Sequence, residues 1–228
     1  MLILRCSGLP LAFLCPGSVR REGLAIEETG EAAALGTAAH DGLATLVETG
    51  RVDWDGTAEL ARLHDVDETE LRALLAQGQK LWAEVRESFP NASTEQELSY
   101  TAPDGSFRLT GHADVIGASA GTLHVGDWKT GRLDQDYSEQ IKGYAALALL
   151  RANVVAERAT AGVLWVRDGE YEHYTMSAAQ MPGWLDRLRS EVVEWDGTYR
   201  VGEHCKHCPR NHECPAGLAL VVARAVLA

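Results

Sequence analysis

The chain has 228 residues, 46% of them hydrophobic and 24% charged, with a formal net charge of −12. That length and apolar share suit one globular domain with a real core, and the longest apolar runs, Leu9 to Leu14 and Leu218 to Leu227, are too short to cross a bilayer and are broken by Pro10 or Arg224. The negative balance argues against broad, charge-driven binding of nucleic acid, so any such contact needs a local basic lining or a bound divalent cation.

At the start, Met1-Leu-Ile-Leu-Arg-Cys-Ser-Gly places its basic residue after the apolar stretch, and no long apolar region follows, which is not the layout of a secretory signal. An intracellular, reducing location is expected. There the five cysteines, Cys6, Cys15, Cys205, Cys208 and Cys214, serve as metal ligands or buried thiols and not as disulfides.

From about Leu9 to Phe89 the pattern is helical. Ala32 to Val47 is rich in Ala and Leu, and Glu68 to Phe89 sets Leu71, Leu74, Leu75, Leu81, Trp82 and Val85 at helical spacing, with Asp67 or Thr69 as cap. Pro90-Asn91 ends this region, and from Thr94 the period becomes two. Glu97 to Tyr100, the turn Pro103-Asp-Gly, Phe107 to Ile116, a turn at Ala118 to Gly121 and Leu123 to Trp128 predict a three-stranded antiparallel meander. A helix over Tyr137 to Ala152 follows, then strands Ala159 to Val166 and Tyr171 to Thr175 around the turn Arg167-Asp-Gly. A last helix, Ala178 to Val193, leads into a Cys/His-rich tail. The order of helix, three-stranded meander, helix and strand predicts an α/β core. One domain over 1–228 is expected, with a mainly helical part at 1–93, the core at 94–176 and a C-terminal helix and tail at 177–228.

Chemistry concentrates in the meander and the helix after it, in Gly111-His-Ala-Asp114, Asp127-Trp-Lys129 and Gln140-x-x-x-Tyr144. In an antiparallel pair Asp114 and Asp127 can lie side by side, and the period of two places Lys129 on the face of Asp127. Like charges on neighbouring strands repel, so the pair calls for a cation between them. Gln140 and Tyr144, one helical turn apart, face the same way. A D-x-K tripeptide alone is commonplace; its conjunction with the other elements carries the meaning.

That order and spacing, over Glu97 to Tyr144, resembles the RecB-like branch of the PD-(D/E)XK nuclease superfamily, in which D-x-K replaces the commoner E-x-K. Gly36-Thr-Ala-Ala-His40 upstream looks like the histidine motif of the same branch. The resemblance implies a restriction-endonuclease-like core with N-terminal helical decoration. It implies that Asp114, Asp127, the backbone carbonyl of Trp128 and His40 hold one or two Mg²⁺ or Mn²⁺ ions, with Lys129 acting on the attacking water and the transition-state charge. Gln140 and Tyr144 contact nucleic acid or the active-site residues, and Glu97 stands where the family often carries a glutamate. The expected activity is hydrolysis of DNA at free ends, single strands included. The expected setting is the cytoplasm of a bacterium or of a phage-infected host.

The tail holds Cys205-x-x-Cys208 and Cys214, three thiols and so one short of a tetrathiolate, and Phe13-Leu-Cys15-Pro-Gly-Ser offers a fourth. One cysteine before the core and three after it resemble the iron-sulfur branch of these nucleases, which includes AddB-type helicase-nucleases and CRISPR adaptation nucleases, with similar phage exonucleases. A 4Fe–4S cluster on Cys15, Cys205, Cys208 and Cys214 follows, with Cys6 as runner-up for Cys15. Homo-oligomers, or recombination or CRISPR-adaptation proteins, are the implied protein partners. His204, His207 and His212 also permit zinc in the tail. Two other readings stay open, a non-catalytic nucleic-acid-binding module of this fold and a zinc-binding protein-interaction domain.

Overall fold

The stretches with an apolar period of two become strands of one mixed six-stranded sheet. The computed structural model describes residues 1–20, 30–119, 121–131, 136–151, 156–211 and 213–217. Its strands are β1 (Leu2–Arg5), β2 (Ser93–Thr101), β3 (Phe107–Ser119), β4 (Thr122–Lys129), β5 (Arg158–Trp165) and β6 (Glu170–Ser177). β2, β3 and β4 form the expected antiparallel meander, β5 adds parallel to β4, and β6 adds antiparallel to β5. β1 was not expected. Its four residues pair in parallel with the first half of β3, Leu4 opposite Leu109, and so short an alternation gives a periodic reading nothing to register.

Among the described residues six α-helices accompany the sheet, α1 (Leu9–Leu14), α2 (Glu31–Thr49), α3 (Thr57–His64), α4 (Glu68–Val85), α5 (Ser138–Leu149) and α6 (Met181–Leu188). Asp67 caps α4, its Oδ1 accepting from the Glu70 N–H at 2.8 Å, a contact that stabilises a helix by about 1 kcal/mol. α6 begins three residues later than expected because Pro182 suits only a first turn, and it passes into a wider π turn at Arg189–Val193. Ala152, His212 and the run Leu218 to Leu227 lie outside the described residues, as does the His207 side chain. No described helix is long and apolar enough to cross a membrane.

Helices cover both faces of the sheet, giving two cores. On one, Leu9 of α1, Ile141 and Leu147 of α5 and Leu188 of α6 pack on Leu98, Leu109, Val125 and Val163. On the other, Leu43 of α2 and Leu75 and Trp82 of α4 pack on Val115, Trp128 and Leu164. α2 and α4 meet through paired glycines: Leu75 lies over Gly42 and Leu43 over Gly78, and a Cβ on Gly42 would stand 2.6 Å from Leu75.

Two departures from regular pairing position the site. β3 and β4 pair only as far as Val115 opposite Gly126, whereas β4 continues along β5 to Lys129 opposite Trp165, so the meander opens into a fork. On the other side of β3, Glu95 has φ 53, and the β2–β3 ladder skips the pair Glu95/Asp114. Alternation breaks there: Ala113 belongs to the α5 core, and Val115, two residues on, to the opposite core. A left-handed conformation at a non-glycine residue costs on the order of 1 kcal/mol, and here it re-aims Asp114.

Candidate active site

Asp114 and Asp127 stand in register one step beyond the last paired residues, at the mouth of the fork. They meet there without ladder pairing, because Asp114 takes over a main-chain partner of β4: its Oδ2 accepts from the Trp128 N–H at 2.6 Å. Its Oδ1 lies 3.3 Å from Nδ1 of His40 on α2. Asp127 Oδ2 forms an ion pair with Lys129 Nζ at 2.6 Å, and its Oδ1 accepts from the Tyr144 hydroxyl of α5 at 3.1 Å. The fork thus gathers His40, Asp114, Asp127, Lys129 and Tyr144 from four elements.

Both carboxylates are buried, at 6% and 5% exposure. Burial pushes the Asp127 carboxyl up; Lys129 works against that and Asp114 adds to it. Burial also works against the Lys129 ammonium, but Asp127 outweighs it and leaves the group above its ordinary pKa. For His40, burial is outweighed by Asp114, and the imidazole is raised. Asp127 is thus matched by Lys129 and Asp114 by His40. The hard oxygen donors beside one imidazole fit Mg²⁺ or Mn²⁺. Among the described residues no three His, Cys, Asp or Glu side chains are already drawn together so as to hold an ion.

The glycine of Gly111-His-Ala-Asp114 has a steric reason. A Cβ there would stand 2.7 Å from Cε1 of Tyr144, whose ring crosses this point to reach Asp127 and the His112 carbonyl, the latter at 2.7 Å. Burial, then Asp127, pushes the Tyr144 phenol far up, so it stays protonated as a donor. Gln140, one turn before it, is fully buried, and neither amide atom has a partner among the described residues. Trp128 turns its side chain into the other core, edge-on to Trp82 at 6.2 Å, and leaves its main chain at the fork.

Glu97 is exposed on β2 opposite His112 and has no ion pair or hydrogen bond with the carboxylates; on that strand it is Glu95 that pairs, with His112. Sequence reasoning missed the Tyr137 ring, whose centroid lies 5.4 Å from Lys129 Nζ and which packs edge-on against Trp165. An aromatic residue seven positions before Tyr144 was the available signal. Cys6 lies in the α5 core, where burial and Asp127 push its thiol well up.

The other four cysteines converge elsewhere. Cys15, Cys205, Cys208 and Cys214 line one cavity with His204, and all are free thiols. Burial pushes the Cys208 thiol up, and the three neighbouring thiols add to that against one backbone N–H. Arginines from the C-terminal part clasp the N-terminal turn: Arg210 donates to the carbonyls of Gly17 at 2.9 Å and Arg20 at 2.8 Å, and Arg200 to that of Phe13 at 3.3 Å. The four thiols line one space, but among the described residues they are not drawn together into a set that holds an ion.

A family model described as the PD-(D/E)XK nuclease superfamily matches residues 14–215. No curated protein matches the sequence. Among solved structures, the crystal structure of SSO0001 is similar over 92% of this chain and 96% of its own, at 17% identity and a TM-score of 0.41. The family match spans the fork, the helices on both faces and all four cysteines of the cavity, and on it the chain belongs to the PD-(D/E)XK nuclease superfamily.

Proposed function

We propose that this chain is a divalent-metal-dependent DNA exonuclease of the RecB-like branch, acting at free ends, single strands included, and carrying a structural 4Fe–4S cluster. The observation that carries the proposal is the convergence of two buried carboxylates and one lysine where the meander opens. Asp114, Asp127, the Trp128 carbonyl and His40 hold the Mg²⁺ or Mn²⁺, which supplies Lewis acidity toward a phosphate oxygen and acidifies water. Lys129 orients the attacking water and offsets the charge that grows on the phosphate. Tyr144 holds the Asp127 carboxylate in place through its hydroxyl. The unpartnered Gln140 amide, costly in an apolar setting, supports a role in binding at the same site. Glu97 is assigned a supporting place on the rim. In domain terms 94–176 is the nuclease core, 1–93 its decoration and 177–228 the cluster-bearing tail.

The cluster half rests on Cys15, Cys205, Cys208 and Cys214 sharing one cavity while Cys6 lies apart. His204 in the same lining favours zinc as the second reading.

Both halves are tested on one anaerobic preparation by visible absorption, iron and zinc analysis, and digestion of end-labelled linear DNA beside a covalently closed circle. Expected are bound iron, loss of linear DNA only with Mg²⁺ or Mn²⁺, and a resistant circle. A circle cut as fast as the linear form replaces the exonuclease with an endonuclease. Zinc without iron moves the tail to the second reading, and intact DNA under every metal rejects the enzyme.

A further inference from the structure

Beside the fork, part of the sheet carries no helix among the described residues. Leu4 and Leu109, opposite each other in β1 and β3, both face the α5 core, so Ile3, Arg5 and Arg108 face the other way. All three are exposed, Ile3 at 58%. The opposite helical layer reaches the sheet through Thr94, bonded to Glu48 of α2, and through Val115 and Trp128. It covers the far half of β3, and among the described residues no helix covers this half.

Charge is polarised along the open face. Glu97 and the His112–Glu95 pair stand at the fork end. Arg5 and Arg108 stand at the other, facing Thr110 and Thr101 in register. By strand rise, the register position of Arg5 lies about 13 Å from Asp114 and that of Arg108 about 20 Å. The two arginines are diagonal neighbours on one face, roughly 7–8 Å apart, and neither forms an ion pair among the described residues. In a chain with a net charge of −12, an uncompensated pair of guanidiniums beside a catalytic fork calls for an anion with more than one charged centre. Successive phosphates on one strand have that form, and guanidinium recognises phosphate by paired hydrogen bonds.

We propose that the uncovered face of β1, β2 and β3 is the track on which a single DNA strand lies as its end enters the fork, with Arg5 and Arg108 gripping the phosphates; this rests on the nuclease reading above. Ile3, opposite Arg108 and two residues before Arg5, gives the sugars an apolar contact. Tyr100, the aromatic residue of β2, packs toward the α5 core, so the track offers no stacking platform there and grips without regard to sequence.

The test is equilibrium binding of fluorescent oligothymidylate by the full chain in EDTA across a salt series, which reads the track without cleavage. Arg5→Ala with Arg108→Ala is expected to flatten the slope of log K against log salt by about 1.4, two released counterions on a single strand. Arg5→Lys with Arg108→Lys restores most of it, and Arg158→Ala, an exposed arginine at the start of β5, leaves the slope as in wild type. In cleavage assays with Mn²⁺ the alanine pair loses kcat/KM through KM. An unchanged slope in the alanine pair, or an equal loss in Arg158→Ala, overturns the track even if the wild type cuts DNA. A wild type that binds and shows the slope change but cuts nothing keeps the track and rejects the nuclease reading.

Discussion

Lys129 and Asp114 hold different places in the proposed chemistry, and their substitutions should differ accordingly. Lys129→Ala removes the only cation paired with Asp127 among the described residues and is expected to lower the cleavage rate by about 10²-fold or more. Asp114→Asn keeps an oxygen for the Trp128 N–H, so its thermal midpoint should stay near that of wild type while activity is lost; full activity in either variant removes the site. Gln140 gives the opposite pattern. A buried amide without partners costs about 1–3 kcal/mol, so Gln140→Met is expected to raise stability in urea while it lowers cleavage. A variant that is less stable and fully active would show that the amide is satisfied in the fold and idle in the reaction. Gly111→Ala drives a methyl group into the Tyr144 ring, at an expected cost of about 1–3 kcal/mol by chemical unfolding, and displaces the hydroxyl from Asp127.

α5 serves the site with Tyr144 and is itself held by Glu139, which pairs with Lys142 and with Arg187 of α6 and accepts from the Trp184 indole at 3.1 Å. Burial pushes the Glu139 carboxyl up, but these three partners outweigh it and hold it below the ordinary carboxylate range. A depressed folded value means stability that is present above the unfolded pKa, about 4.3, and is lost as pH falls through the folded one. Glu139→Gln is therefore expected to destabilise the neutral-pH protein by about 1–3 kcal/mol and to flatten the acid limb of a melting-temperature profile; an unaltered acid limb would place that loss elsewhere. The three-strand meander, α4 and α5 were legible because period two and period 3.6 survive in the sequence. The convergence of Asp114 and Asp127 was legible because an antiparallel register is arithmetic. The kink at Glu95 was not, since a left-handed glutamate leaves no compositional trace. Nor was β1, whose partner lies more than 100 residues away.

At the scale of the molecule, the arginine clasp joins the N-terminal segment at Phe13, Gly17 and Arg20 to the C-terminal one at Arg200 and Arg210, around the cavity that Cys15, Cys205, Cys208 and Cys214 line. On the proposed cluster, Cys208→Ala is expected to lower the iron content and speed hydrogen exchange in both segments, while the sheet interior keeps its protection; exchange that stays slow at both ends would mean that the clasp alone holds them. The sequence did not show that clasp, because arginine side chains bonded to distant carbonyls follow no motif. The fork carries a consequence for the order in which the molecule assembles. Beyond Gly126 the ladder partner of β4 is β5, and β3 reaches it only through the Asp114 side chain, so Asp127 and Lys129 have no ladder partner until residues 158–165 have been made. During synthesis the ribosome will have released both aspartates of the site well before the strand that fixes one of them, and a nascent chain ending short of β5 should be inert toward DNA whatever metal it meets.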